Sequence, residues 1–226
     1  MAATEPSQSE IWARSDQYHN SFLLKPDPIL DAAQEHTKAR GVRYDISVSA
    51  AQGKFLQLQL LAIKAKRVLE VGSLGGYSAI WMARALPEDG ELVALEVEKL
   101  HAEVIEENVR NAGLSSKVTV ILGRAHESMK AMPASEPFDL VFIDADKPNN
   151  TNYFIEAKRL VRKGGIIIVD NVGRGGRLAD ENNSDAMLDG VRELLRHIKD
   201  DTDVEATTIH TVGEKGFDGF VYAIRK

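Results

Sequence analysis

The stretch RVLEVGSLGGYS, residues 67–78, joins a short apolar run to a glycine-rich turn. The apolar run is typical of a buried strand, and residues 76–86 carry the spacing of an amphipathic helix. Gly72, Gly75 and Gly76 allow the chain to turn sharply and let backbone amides approach a ligand closely. The segment therefore predicts a strand, a tight turn and a helix, which is the repeating unit of an α/β sheet.

The same alternation continues to residue 170. Further strands are predicted for ELVALE (91–96), KVTVIL (117–122), FDLVFI (138–143) and GIIIVD (165–170). Helical patterns lie between the strands at residues 99–112, 124–132 and 150–162. Strands that alternate with helices in this way form a parallel sheet covered on both faces.

The two ends of the chain differ from this central pattern. Residues 1–9 are predicted to be a frayed tail, and two helical patches over residues 10–40 are split by the prolines of KPDP, while a third helical pattern follows Ser49. Residues 205–211 and 217–225 are predicted to close the sheet as an antiparallel pair. We therefore expect an α/β fold, a doubly wound sheet with an N-terminal helical extension, in a single domain over residues 1–226.

Composition excludes several kinds of function. The net charge is −6, without a dense run of Lys and Arg, which argues against a nucleic-acid partner. The chain has no cysteine, so disulfides, thiolate nucleophiles and zinc–thiolate sites are ruled out. It shows no secretory signal and no run of about 20 apolar residues. We expect a cytoplasmic protein with no membrane partner.

The first two strand ends point to a nucleoside ligand, because ligands bind at the carboxyl ends of strands in such sheets. Leu74 stands where the dinucleotide fingerprint requires a second glycine, which disfavours a pyrophosphate. Glu96, at the second strand end, is well placed for the hydroxyls of a ribose. Each feature alone is compatible with a turn without ligand or a solvated acid. Together they favour a nucleoside without pyrophosphate, such as S-adenosylmethionine.

The third strand end offers weaker signals. Ala125 and its neighbouring backbone are candidates to border an adenine ring, in the segment LGRAHES. His126 in the same segment could be a ligand, but a lone histidine early in a helix is more often a surface residue.

The fourth and fifth strand ends carry a cluster of hard oxygen ligands. Asp144 follows one strand, and Asp170 and Asn171 follow the next. Neighbouring strand ends converge, so these three side chains predict a Mg²⁺-type site. The alternative is that Asp170 and Asn171 only cap a turn. Lys147 beside them is either a solvated counter-charge or a base activated by a nearby cation.

Three segments carry a resemblance to a known family. They are VLEVGSLGGYSAIWMARALPEDGELVALE, FDLVFIDADKPNNTNYF and LVRKGGIIIVDNV. They resemble the cation-dependent O-methyltransferases of the caffeoyl-CoA and catechol type, and the resemblance runs from about Arg14 to the C-terminus. It implies a seven-stranded Rossmann-like sheet with an antiparallel last strand, and a homodimer. It also implies methyl transfer from S-adenosylmethionine to a hydroxyl of a small catechol-like (vicinal-diol) or hydroxycinnamoyl aromatic.

The resemblance also implies roles for individual residues. Asp144, Asp170 and Asn171 would bind the divalent cation, Mg²⁺ before Ca²⁺ or Mn²⁺, and Lys147 would act as general base, with Asp144 beside it. The residues implied for S-adenosylmethionine are Val48, Glu70, Gly72, Ser73, Ser78, Glu96, Ala125, Asp144 and Asp146.

The chain departs from the family pattern around the acceptor. Gly173 and Arg174 replace a usual apolar or aromatic pair, Asn150 replaces a common tyrosine, and Arg14 matches a position that can contact an acidic tail. These three candidate substrate residues, Arg14, Asn150 and Arg174, leave the acceptor open. Two alternatives also remain: a catalytically silent S-adenosylmethionine-binding protein, which the intact lysine and metal cluster disfavours, and a nicotinamide-dependent oxidoreductase, which Leu74 disfavours.

Overall fold

The computed structural model describes residues 5–226 and contains a seven-stranded sheet in the order β3-β2-β1-β4-β5-β7-β6. The strands are β1 Arg67–Val71, β2 Glu91–Glu96, β3 Val118–Leu122, β4 Phe138–Ile143, β5 Val161–Asp170, β6 Val204–Gly213 and β7 Gly216–Arg225. The helices are α1 Gln8–Leu23, α2 Pro28–Ala39, α3 Ala50–Ala62, α4 Tyr77–Ala83, α5 Lys99–Asn111, α6 Ala125–Ala131, α7 Asn150–Leu160 and α8 Ala186–Lys199. Short 3-10 turns cover Tyr44–Ile46, Lys147–Asn149 and Arg174–Ala179.

The strand directions confirm the predicted α/β fold. Strands β1 to β5 pair in parallel, whereas β7 pairs antiparallel with both β5 and β6. The order runs outward in both directions from the β1–β4 pair, which makes this pair the switch point of the sheet. Val71 pairs with Leu95 on one side and with Ile143 on the other, so the ends of these three strands are level.

The core forms one layer on each face of the sheet, because side chains along a strand alternate between faces. Val68 of β1 packs in one layer with Leu56 of α3 and Ile80 of α4. Leu69 packs in the other layer with Phe154 of α7 and Leu194 of α8. Burial of these apolar side chains fixes the helices against the sheet and holds the strand ends in place.

Helix α8 is the element that the sequence interpretation missed. Asp185 caps it by accepting a hydrogen bond from the Leu188 backbone N–H at 2.8 Å. Leu188, Val191 and Leu194 recur at helical spacing and are buried. The signals of a helix were thus present, but they follow a long polar, glycine-rich stretch. Strand β5 also begins at Val161, four residues earlier than predicted.

The N-terminal region is helical, as predicted on both sides of the KPDP stretch. Gln8 and Ser9, which were predicted to belong to a frayed tail over residues 1–9, lie in α1, and the Ser7 hydroxyl caps this helix by accepting from the Glu10 backbone N–H. Residues 1–4 of that tail lie outside the described residues. Across residues 5–226, no helix combines the length and the apolar character needed to cross a membrane.

Candidate active site

The carboxyl ends of the central strands open into one cavity of about 1310 Å³. It extends from the glycine-rich turn after β1 to the ends of β4 and β5 and to the β6–β7 hairpin. Pockets for small ligands usually measure about 300–1,000 Å³. This cavity is therefore large enough for two small molecules side by side.

The glycine-rich turn lies against the end of β4. Gly72 has a φ of 87°, and a Cβ atom there would come within 2.8 Å of the Asp144 carbonyl oxygen. Only glycine accommodates both the positive φ and this close approach. Ser73 and Ser78, on the same turn and on α4, line the cavity with Gly72. Three of the predicted cofactor residues of this segment, Gly72, Ser73 and Ser78, therefore meet at one wall.

Glu70 lies behind that wall and is fully buried. Its carboxylate accepts hydrogen bonds from the hydroxyls of Ser73 and Ser78. Burial raises the pKa of Glu70 to about 7, although these two hydrogen bonds oppose the effect. Glu70 does not line the cavity and is connected to its wall through the two serines.

Glu96 lines the cavity and fastens two loops to each other. Its Oε2 accepts from the backbone N–H of Leu74 at 3.0 Å and of Ser73 at 3.4 Å. Its Oε1 accepts from the backbone N–H of Val97 at 2.8 Å and of Glu98 at 3.0 Å. The side chain is therefore rigidly held at the cavity edge, where the ribose was predicted to bind.

The end of β4 brings the predicted acid and base together. Lys147 Nζ donates to Asp144 Oδ1 at 2.9 Å, and Lys147 is 5% exposed although both residues line the cavity. A lysine so nearly buried, with its Nζ beside a carboxylate, keeps a fixed position. These two residues form one pair at the cavity floor.

Asp170 and Asn171 extend this pair from the neighbouring strand. Ile143 and Val169 are register partners, so the residues that follow them, Asp144 and Asp170, end adjacent strands at the same level. Burial and the Asp144 charge raise the pKa of Asp170 to about 7, whereas the Lys147 charge opposes this shift. Asn171 has a φ of 57°, a left-handed conformation that asparagine tolerates better than most residues.

The donor set suits a hard divalent cation. Asp144 and Asp170 offer carboxylate oxygens, and Asn171 directs its amide nitrogen to Asp218 Oδ2 at 3.4 Å, which leaves the amide oxygen available. Oxygen-only sets of this kind are what Mg²⁺ and Ca²⁺ take. Among residues 5–226 there is no group of three or more His, Cys, Asp and Glu side chains that could hold a metal ion, and the predicted set has two carboxylates and one amide.

Asp146 and Tyr153 border the same cavity. Asp146 accepts from the Tyr153 hydroxyl at 2.5 Å through Oδ1 and from Asn149 Nδ2 at 2.6 Å through Oδ2. Burial, followed by the bond to Asp146, raises the pKa of Tyr153 above its ordinary value. Tyr153 was not singled out from the sequence, because its partner lies across the turn between β4 and α7.

The remaining predicted cofactor residues also reach the cavity. Val48, just before α3, and Ala125, the first residue of α6, both line it. His126, for which the sequence was compatible with either a ligand or a surface residue, lines the cavity as well.

The three candidate substrate residues do not lie together. Arg174 lines the cavity, whereas Arg14 is exposed on α1 and is not among the lining residues. Asn150 is also absent from the lining and is fully buried, with neither side-chain amide atom hydrogen-bonded. Asn150 begins α7, and its side chain turns into the protein interior. Of the three candidate substrate residues, Arg174 alone therefore lines this cavity.

Asp218 is a structural residue of the site that the sequence did not reveal. Its Oδ1 accepts from the backbone N–H groups of Gly173, Arg174 and Gly219, each at 2.9 Å. Asp218 lies on β7, so its proximity to the end of β5 follows from the antiparallel pairing of those strands. It holds the loop after Asn171 in place.

Comparisons with known proteins are consistent with this geometry. The profile of a family described as O-methyltransferase matches residues 22–225. A catechol O-methyltransferase from Mycobacterium tuberculosis is 46% identical over 210 residues, covering 92% of this chain and 94% of the relative. A catechol O-methyltransferase from Niastella koreensis is 42% identical over 220 residues, covering 96% and 99%.

Solved structures show the same similarity. An O-methyltransferase from Bacillus cereus, in complex with S-adenosylhomocysteine, superposes with a TM-score of 0.93 at 40% identity, covering 97% of this chain and 100% of that one. The O-methyltransferase TomG from Streptomyces achromogenes, in complex with S-adenosylmethionine, superposes with a TM-score of 0.92 at 41% identity, covering 98% and 100%.

Proposed function

Because the chain belongs to the O-methyltransferase family, we propose that it transfers the methyl group of S-adenosylmethionine to one hydroxyl of a small aromatic vicinal diol, with the help of a divalent cation. The observation that carries the proposal is the cluster of Asp144, Lys147, Asp170 and Asn171 at two adjacent strand ends, within a cavity large enough for donor and acceptor together. The names of the two catechol O-methyltransferase relatives support a diol acceptor. Hydroxycinnamoyl aromatics with adjacent hydroxyls remain within the same class.

Lys147 is the proposed general base. Its Nζ is nearly buried and is held by Asp144, so it would take the proton of the acceptor hydroxyl from a fixed position. Asp144 orients this lysine and would then stabilise its charged form. A proton acceptor of this kind typically contributes 10²–10⁴-fold to a rate.

The cavity wall after β1 is proposed to bind the methyl donor. The Ser73 and Ser78 hydroxyls and the Gly72 backbone would hold its methionine end, with Glu70 orienting the serines. The other residues proposed to border the donor are Val48, Glu96 at the ribose, Ala125 at the adenine, Asp144 and Asp146. Bound S-adenosylmethionine supplies an electrophilic methyl group, and holding it in line with the acceptor oxygen is worth up to about 7–11 kcal/mol in intramolecular models.

Asp144, Asp170 and Asn171 are proposed to hold the cation, with Mg²⁺ preferred over Ca²⁺ or Mn²⁺. A bound divalent cation would lower the pKa of an adjacent hydroxyl and fix the orientation of a diol. The buried, raised-pKa carboxyl of Asp170 supports this role, because a nearby divalent charge would relieve the cost of ionising it.

We also propose a homodimer. Tyr18, Phe22 and Leu23 on α1 are strongly exposed apolar side chains, and the Tyr18 and Phe22 rings contact each other at 5.1 Å. A light-scattering mass near 50 kDa would support a dimer of this 24.9 kDa chain, and a mass near 25 kDa would refute it.

Removal of the proposed base tests the function. Lys147→Met should lower kcat for catechol methylation at least about 100-fold, because no other group would take the proton from that position. The product is measured by mass spectrometry with S-adenosylmethionine and Mg²⁺ present.

Lys66→Met is the matched control, since Lys66 is also a lysine paired with an aspartate, Asp89, at 2.7 Å, but outside the cavity. Full activity of Lys147→Met would show that Lys147 is not the general base. Tight binding of S-adenosylmethionine without any methylated diol from the unaltered protein would favour the silent binding protein instead.

A further inference from the structure

The segment that follows Asn171 presents one arginine to the cavity in a conformation that arginine rarely adopts. Arg174 has a φ of 49°, in the left-handed region that favours glycine. Glycines flank it at 173 and 175, and Asp218 Oδ1 accepts from the backbone N–H of both Gly173 and Arg174 at 2.9 Å. The backbone is thus fixed, and an unfavourable residue stands where glycine would be unstrained. Such outliers concentrate at functional sites.

The guanidinium of Arg174 makes no ion pair within 4.0 Å among residues 5–226, although its charge is near enough to Asp185 to help the Leu188 backbone N–H lower the pKa of that carboxyl. Arg174 forms no ion pair there, and its Nε is buried without a hydrogen-bond partner. Its Nη2 contacts the Met187 Sδ at 3.1 Å, and a thioether is only a weak acceptor. Arginine carries five donors and is always charged, so this environment leaves most of its hydrogen-bonding capacity unused.

Nearby acidic groups are engaged elsewhere. Asp218 Oδ1 takes three backbone N–H groups, and Asp185 accepts from Leu188 and lies 3.5 Å from Arg177. Asp144 is paired with Lys147. None of these carboxylates is within ion-pair distance of Arg174, although Asp144 and Asp218 line the same cavity.

The other basic groups of the cavity are held or distant. Arg43 pairs with Asp45 at 2.6 Å, and Lys215 Nζ donates to the carbonyl oxygens of Asp45 and Ser47, both at 2.8 Å. Arg124 follows β3, and three strands, roughly 15–20 Å at the usual spacing, separate β3 from β5. Lys147, at the same end of the cavity, is held by Asp144 at 2.9 Å. Among residues 5–226, Arg174 is therefore the basic residue that lines the Asp170 and Asn171 end of the cavity without an ion pair.

We infer that Arg174 determines acceptor specificity by binding a carboxylate on the acceptor, so that the substrate class is an aromatic vicinal diol with an acidic substituent. The inference rests on the proposed methyl transfer and deepens it. The planar guanidinium matches a carboxylate with two parallel hydrogen bonds, and a carboxylate would satisfy the buried Nε. Met187 beside it would contact the apolar part of the acceptor.

The test compares acids with their neutral esters. Methylation of 3,4-dihydroxybenzoate and 3,4-dihydroxycinnamate is measured against that of their methyl esters, in the unaltered protein and in Arg174→Met. We expect Arg174→Met to raise KM at least about tenfold for one or both acids, because one charge-assisted pair with the carboxylate is lost. The KM of the esters, which lack the carboxylate, should change less than about twofold. Esterification also changes the reactivity of the ring. This change is the same in both proteins, so it cancels when each acceptor is compared between the unaltered protein and Arg174→Met.

Two further variants keep the test decisive. Arg177→Met is the matched control, because Arg177 is exposed in the same segment and does not line the cavity. Arg174→Lys should retain part of the preference for acids, since it keeps the charge. Equal losses for acids and esters, or no loss for either, would overturn the inference while leaving methyl transfer intact. Absence of any methylated product from the unaltered protein would overturn the proposed function and this inference with it.

Discussion

Three buried carboxyl side chains at the head of the sheet are stabilised in different ways. Glu96 accepts four backbone N–H groups, Glu70 accepts two serine hydroxyls, and Asp170 lies near the Lys147 charge. Burial raises the pKa of both Glu70 and Asp170 to about 7. The donor wall and the proposed cation site thus each contain an acid whose ionisation opposes folding at neutral pH.

The Glu70 carboxyl predicts a pH dependence of stability. Its pKa is higher in the folded state than the ordinary value of 4.5, so the folded protein binds more protons between pH 4.5 and about 7. The free energy of unfolding should therefore fall as pH rises through that window. Glu70→Gln, which cannot ionise, should remove about 2–3 kcal/mol of that fall between pH 5 and pH 8.

Urea unfolding of the cofactor-free protein at several pH values measures this difference. Glu193→Gln, on the exposed face of α8, is the control and should leave the pH profile unchanged. Parallel profiles for Glu70→Gln and the unaltered protein would mean that Glu70 folds without a raised pKa.

The sequence revealed the site residues that stand in short linear motifs. It did not reveal the residues whose role depends on tertiary contacts. Asp144, Lys147, Asp170 and Asn171 follow strands directly, so their meeting follows from the adjacency of those strands. Asp218 acts on the loop after Asn171 only because β7 pairs with β5. The burial of Asn150 likewise depends on how α7 packs, which a linear motif does not show.

Helix α8 packs against the 3-10 turn Lys147–Asn149, which contains the proposed base. A Cβ atom at Gly190 would overlap the carbonyl group of Lys147 and would lie 2.7 Å from Pro148 Cα. Glycine in a helix normally costs about 0.5–1 kcal/mol relative to alanine, so this position favours close packing over helix propensity. The contact places the backbone of Lys147 against a rigid element.

Gly190→Ala should therefore displace the base. We expect kcat to fall at least about tenfold, because misplacement of a reacting group by about 1 Å can cost 10²-fold. The affinity for S-adenosylhomocysteine, measured by calorimetry, should change little, since the glycine-rich turn is not touched. Glu193→Ala on the same helix is the control. If Gly190→Ala raised the melting temperature with kcat unchanged, the turn would not depend on α8.

At the scale of the molecule, the alternation of strands and helices was enough to predict a parallel sheet, and the antiparallel closure followed from the short connection between the last strands. The order of the strands does not follow from alternation, because many orders satisfy it. The resemblance to known methyltransferases implied seven strands with an antiparallel last strand, and the order itself comes from the structure. Strands β6 and β7 do more than complete the edge of the sheet, because residues of their hairpin line the cavity.

The topology supports the proposal that donor and acceptor share one cavity. The switch point lies between β1, which leads to the proposed donor wall, and β4, which is followed by Asp144 and Lys147. The next strand outward, β5, ends in Asp170 and Asn171 and leads to Arg174. Successive strand ends therefore run from the proposed donor site through the proposed base and cation site to the proposed acceptor site.

The central claim is cation-assisted methyl transfer at this edge of the sheet. Its most direct test is the initial rate of catechol methylation by the unaltered protein in EDTA, followed by titration with Mg²⁺. We predict that the rate falls at least about 100-fold in EDTA and returns with Mg²⁺, but does not return in Asp170→Asn. A rate in EDTA equal to that in Mg²⁺ would contradict the account.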